Sequence, residues 1–139
     1  MIDLTTEFGR KVQRHLQSEY VIWLTTVGAD GSPQPRPVWF IWEEDSFVTF
    51  SQPHAHKVRH IAVQPKVALH FNTDKTGDED VIVFLGEAAV DPTVPPADQL
   101  TAYFQKYRTG IAGLKMTPDE YSREYSTAIR VTPTGVRGW

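Results

Sequence analysis

Phe8, Val12 and Leu16 recur every fourth residue and draw one apolar stripe, which predicts a helix over residues 7–19 with Thr6 as its cap. From Tyr20 the period changes. Residues 20–26 are dense in β-branched and aromatic side chains and predict a strand. Turn chemistry follows at Gly28-Ala29-Asp30-Gly31-Ser32-Pro33. A second strand is expected over 34–42, an acidic turn at Glu43-Glu44-Asp45 and a third strand over 46–51. Connections this short imply an antiparallel meander. Residues 54–63 read as a short helix with Val58, Ile61 and Ala62 facing in, stopped by Gln64-Pro65. Strands over 66–72 and 81–90 flank an exposed acidic loop at 74–80. Prolines break the chain over 92–96, a helix is expected over 97–107, and Thr117-Pro118-Asp119-Glu120 is a capping box that starts another. A sixth strand over 126–131, a turn at Thr132-Pro133-Thr134-Gly135 and a final short stretch at 136–139 complete the chain.

Two strands carry more than their existence. Val38-Trp39-Phe40-Ile41-Trp42 and Val81-Ile82-Val83-Phe84-Leu85 are apolar at odd and even positions alike. Alternate strand residues face opposite sides, so a sheet wet on one side should alternate. Both faces are therefore covered. One lines a core, and the other meets helices, a second subunit or a ligand. The pattern predicts a mainly β, α+β fold: a small antiparallel β-barrel with flanking helices, closed by dimerisation.

Composition narrows the function. A chain of 139 residues fits one domain, here 1–139. Apolar residues at 40% and charged ones at 22% are ordinary globular usage, while 12% aromatics ask for a partner chain or a planar ligand to pack against. A net charge of −3 argues against a general nucleic-acid binder. The absence of cysteine removes disulfides, thiolate zinc sites and thiol nucleophiles. No apolar run exceeds five residues and residues 1–14 do not form a leader, so a cytoplasmic protein off the membrane is expected.

The strongest chemical signal is Ser51-Gln52-Pro53-His54-Ala55-His56-Lys57-Val58-Arg59-His60, a strand end running into a helix start. Free N–H groups at such a start, with Ser51, Lys57, Arg59 and histidines beside them, suit a phosphate or carboxylate. A solvated basic helix face is the plainer reading. His56 and His60 share a helix face, but no cysteine or carboxylate lies near in sequence, so no metal is assigned. Trp23, Trp39, Trp42 and Trp139 offer a platform for a planar ligand, with at least two of them expected in ordinary packing. There is neither a glycine-rich phosphate fingerprint nor a GxSxG elbow.

Taken in order, Trp23-Leu24-Thr25-Thr26, the Gly28–Pro33 turn, Pro37-Val38-Trp39-Phe40, Ser51 and His56-Lys57-Val58-Arg59-His60 resemble the pyridoxamine-phosphate-oxidase-like split-barrel flavin and deazaflavin proteins. The closing segment Ile129-Arg130-Val131-Thr132-Pro133-Thr134-Gly135-Val136-Arg137-Gly138-Trp139 resembles the branch that uses coenzyme F420. The likeness spans about residues 8–139. It implies a homodimeric split barrel of six to seven antiparallel strands, with two cofactor sites at the subunit interface. The tricyclic ring would run along Pro37, Val38 and Trp39, and the phosphate would meet Ser51, Lys57, Arg59 and His60. Residues near the partner's C-terminus, Trp139 among them, would cover the ring. The implied activity is F420-dependent hydride transfer to or from a small unsaturated substrate. FMN-dependent redox chemistry, or non-catalytic binding of F420, FMN or haem, is the alternative. No histidine follows His70, whereas true pyridoxamine phosphate oxidases end in an Arg- and His-bearing motif, so vitamin B6 oxidation is not expected. Tyr103, Tyr107 and His54 are open as proton donors.

Overall fold

The computed structural model describes residues 2–139. Its elements are α1 (Glu7–Ser18), β1 (Val21–Val27), β2 (Pro33–Trp39), β3 (Ile41–Glu43), β4 (Ser46–Ser51), α2 (His56–Val63), β5 (Lys66–His70), β6 (Ile82–Val90), α3 (Thr101–Gly113), α4 (Pro118–Glu124) and β7 (Thr127–Gly138). The seven strands form one antiparallel sheet in the order β2-β1-β5-β6-β7-β4-β3, curled into a half-barrel with the four helices around it. Among the described residues, no helix is long and apolar enough to cross a membrane.

The two hairpins of the expected meander over 20–51 form, but not side by side. β2 pairs with β1 at one edge of the sheet, while β3 and β4 pair at the opposite edge. The single strand expected over 34–42 is two strands, broken at Phe40. β2 cannot pair on both sides, because Pro33, Pro35 and Pro37 occupy alternate positions. Alternate N–H groups of a strand point to the same side, and proline has none. The outer edge of β2 therefore lacks donors at 33, 35 and 37, and Trp39 carries the one N–H that points that way. The strand bonds β1 through Gln34, Arg36 and Val38 and can accept no strand on its other side.

Phe40 is buried, and its peptide groups are met by side chains of α3. Its N–H donates to Tyr107 Oη at 2.7 Å, and its carbonyl accepts from Lys106 Nζ at 2.9 Å. The Tyr107 hydroxyl itself has the carbonyls of Phe40 and Tyr20 within 2.8 and 2.7 Å. At the far end, the predicted turn at 132–135 is strand. Between Leu85 and Gly86 the β6–β7 register slips, leaving Thr134 unpaired between Pro133 and Gly135, a bulge that tolerates the proline. Gly86 makes this possible, because a Cβ there would stand 2.7 Å from the Thr132 carbonyl oxygen. The acidic turn does form. Glu44 and Asp45 both take positive φ (53° and 55°) in a two-residue hairpin between β3 and β4.

Two apolar clusters result. Inside the barrel lie Ile22, Leu24, Phe40, Phe47, Leu69 and Phe84, closed by Val12 and Leu16 of α1. Outside it, Ile41, Val48 and Phe50 pack beneath Tyr103, Tyr107, Ile111 and Tyr121 of α3 and α4. Every residue of β4 is therefore buried, as two-sided coverage requires. Arg130 ties the second edge together, bonding Asp91 (2.9 Å), Ser46 (2.7 Å) and, more loosely, Glu43 (3.6 Å).

Two outcomes are expected. Tyr107→Phe leaves the buried Phe40 N–H without an acceptor and should destabilise by about 1–3 kcal/mol in denaturant titration. Hydrogen bonds from Thr93, and then Arg130, hold the Asp91 carboxyl down at about 2. A carboxyl depressed in the folded chain adds stability above its unfolded pKa and loses it as pH falls. The Asp91 contribution should thus be complete above about pH 4 and fade towards pH 2. Asp91→Asn should flatten that acid limb, as read from melting temperature against pH.

Candidate functional site

The proline-bearing edge of β2 faces a cavity of about 360 Å³. Pro37, Val38 and Trp39 form one wall, Phe50 of β4 lies in it, and Tyr121 and Tyr125 close the α4 side. Leu114, just past α3, stands half-exposed at its rim. Trp39 is held flat against Tyr107, with centroids 4.6 Å apart and planes at 5°, and Tyr121 stacks on Tyr125 at 4.6 Å. The arrangement is an aromatic-walled trough with no carboxylate in its lining.

At one end the lining becomes cationic. Lys57 of α2 borders both this cavity and a recess of about 220 Å³, formed with Thr26, Gln34, Arg36, His56 and His60. Burial, and then the neighbouring Arg36 guanidinium, push the Lys57 pKa down. Among the described residues, neither cation lies within ion-pair distance of a carboxylate. Two adjacent, uncompensated cations over a helix start with no side-chain cap form an anion-binding arrangement. His60 is fixed there by a 2.8 Å hydrogen bond between Nδ1 and Thr26 Oγ1. Past Arg36 and His56 the polar surface continues into a wider depression of about 560 Å³ with His54 and Arg123. Glu124 also borders it and accepts from Gln52 at 2.7 Å.

A family model described as pyridoxamine 5'-phosphate oxidase matches residues 8–139. The chain belongs to that family. No curated protein matches it. Several solved structures of the same fold do. An F420 reductase is 24% identical, with 90% of this chain and 94% of that one covered and a TM-score of 0.67. An FAD-binding protein from Mesorhizobium loti is 16% identical over 89% and 88% of the two chains, at 0.65. HutZ, the heme storage protein from Vibrio cholerae, is 17% identical over 92% of each, at 0.64. At these identities the likeness establishes the split-barrel fold.

Within that fold, Pro37, Val38, Trp39 and Lys57 meet around the aromatic trough, with His60 next door in the recess. Ser51, Arg59 and Trp139 are elsewhere. Ser51 is buried and donates to the Gln52 carbonyl at 2.9 Å. The Arg59 guanidinium bonds the His54 carbonyl and His56 Nδ1, bracing the approach to α2. Trp139 is 64% exposed and its backbone pairs with Val81. Of the tryptophan platform, Trp42 packs on the barrel core and Trp23 lies parallel to His70, so Trp39 alone lines the trough.

The candidate proton donors fare differently. Tyr107 is committed to backbone groups, and Tyr103 bonds Tyr121 at 2.8 Å with its pKa raised by burial. His54 borders only the outer depression. Two phenols border the trough, Tyr121 and Tyr125; burial pushes Tyr121 up to about 12, so it is neutral at ordinary pH. Tyr121, Tyr125 and Phe50 escaped the sequence reading. Their signal was present, since the capping box at Thr117 fixes the phase of α4, but nothing local says that α4 folds back over β2.

Proposed function

We propose that this chain is an F420-dependent oxidoreductase acting on a small, uncharged, unsaturated substrate. One observation carries the reading: Lys57 joins an aromatic-walled trough to a cationic recess, the shape and charge order of a tricyclic ring followed by a phosphate. Bound there, the deazaflavin would supply the hydride donor or acceptor at its C5, a step that needs no protein nucleophile. Trp39, Tyr121 and Tyr125 would flank the ring and keep water from it. Pro37 and Val38 would run beneath it, and Lys57, Arg36 and His60 would take the phosphate. Ser51, Arg59 and Trp139 would then act indirectly or, for Trp139, from a second subunit. The similar F420 reductase and FAD-binding protein support a ring cofactor.

FMN shares the ring, ribityl chain and phosphate and would use the same residues. F420 continues into a phosphodiester and glutamyl carboxylates. The depression beyond Arg36 offers the Arg123 guanidinium and the ring nitrogens of His54 and His56, beside Glu124, along that continuation and favours F420. A trough without carboxylates suits an uncharged substrate.

We also read the protein as a homodimer of single-domain chains, 1–139. The residues of β1, β5 and β6 that alternate with the barrel core point outward: Trp23, Ala68, His70, Val83 and Leu85. They lie side by side in register, Trp23 opposite His70 opposite Val83. Leu85 is 47% exposed on this apolar face, which a second copy would cover.

The deciding experiment is a paired titration of the protein with F420 and with FMN at equal concentrations, following ligand fluorescence and melting temperature. At a hundredfold excess over Kd, binding adds about 2.7 kcal/mol of stability. F420 should shift the melt strongly and FMN weakly, and silence from both overturns the proposal. Lys57→Ala should weaken cofactor binding by about 1.5–3 kcal/mol, roughly tenfold to a hundredfold. Unchanged affinity would remove Lys57 from the site. Light scattering should report a dimer at micromolar concentration, and Leu85→Glu should split it. A monomeric parent chain would refute the dimer.

A further inference from the structure

Gly110 sits inside α3, where glycine is among the poorest helix formers. A Cβ at this position would collide with the Tyr20 hydroxyl and stand 2.9 Å from Cη2 and 3.1 Å from Cζ2 of Trp39. Gly113, nearly one turn further along the same helix, has no heavy atom within 4 Å of its Cβ position. Only the first glycine is therefore required by a neighbour.

The two neighbours differ in how they can yield. Tyr20 is 43% exposed, and its hydroxyl end can swing into solvent. Trp39 is rigid and backed by the fully buried Tyr107, whose ring lies parallel to the indole at 4.6 Å. Tyr107 cannot retreat, because its hydroxyl holds the Phe40 peptide. An indole pushed from the α3 side moves along that stack, towards the trough it lines.

We infer that Gly110 is a positioning residue: by omitting a side chain it seats the Trp39 indole against α3 and sets the width of the slot for a planar ligand. The effect on ligand rests on the ring-binding reading above, whereas the seat of the indole does not.

The test compares the full-length protein with Gly110→Ala and Gly113→Ala. In titrations with F420 and FMN, Gly110→Ala should weaken whichever ligand binds by about tenfold or more, the range of an overpacked core. Gly113→Ala should stay within about twofold, as an independent site does. In a Trp39→Phe background the smaller ring leaves room, and adding Gly110→Ala should change affinity by less than about threefold. Equal losses in both backgrounds, or no loss in either, overturn the inference.

A ligand-free readout separates this from the functional proposal. Four indole N–H resonances are expected in a nitrogen-15 spectrum, and Trp39→Phe assigns one of them. Gly110→Ala should move that resonance most, and Gly113→Ala should leave it in place. If the parent chain binds neither ligand, the functional reading falls and the Trp39 resonance alone decides. An unmoved resonance overturns the inference. Should Gly110→Ala not fold, the same comparison in a Tyr20→Phe background removes the nearer clash and retains the one with Trp39.

Discussion

Phe40 is where the chain leaves one edge of the sheet and begins the other, and no strand partner is available to its peptide groups there. Tyr107 and Lys106 of α3 supply what a ladder would have supplied. Leaving those buried groups unmet would cost as much as several surface contacts contribute. The corner and the helix thus require each other. Because α3 must reach Phe40, it lies against β2 and places Tyr107 under Trp39 and Gly110 beside it. The trough wall follows from a backbone need.

That arrangement explains why an edge strand built on three prolines is useful here. Pro33, Pro35 and Pro37 cost β2 three of its outer donors, and the same loss keeps further strands from adding to it. The edge stays open, lined mostly by ring and aliphatic carbons. In the proposed function an apolar planar ligand would lie along it, with polar recognition at α2, at the end where Lys57 and Arg36 meet.

Most elements were legible from local pattern. The i, i+4 stripe of α1, the Thr117 capping box and the two-faced strands each encode their state within a few residues. The two-sided apolarity of 38–42 did report coverage on both faces, because Phe40 enters the barrel while Trp39 joins the outer cluster. Both short connections of the expected meander do form hairpins, and it failed only where its middle strand was read as continuous and paired on both sides, which alternate prolines in β2 already forbade. The break at Phe40 is different in kind. It depends on a tyrosine 67 residues away, and no local signal encodes that. In the same way the basic segment 51–60 suggested an anion site, but which of its members face the recess depends on helix phase. That phase turns Lys57 and His60 inward and sends Arg59 to the histidines before it.

The recess also explains its own electrostatic strain. Burial and Arg36 both lower the Lys57 pKa, so its charged form is disfavoured in the folded chain relative to the unfolded one. For a lysine shifted in this direction, the penalty is full below the folded pKa. It is relieved as pH rises towards the unfolded value of 10.5, since over that interval the unfolded chain holds more protons. A fold shaped by stability alone would place a carboxylate there. None of the described carboxylates does so, and an anion that entered would relieve both cations at once. Binding and stability are then linked through the same two charges. A phosphate at Lys57 would raise its pKa, couple binding at high pH to protonation of the lysine and offset the penalty that burial and Arg36 impose.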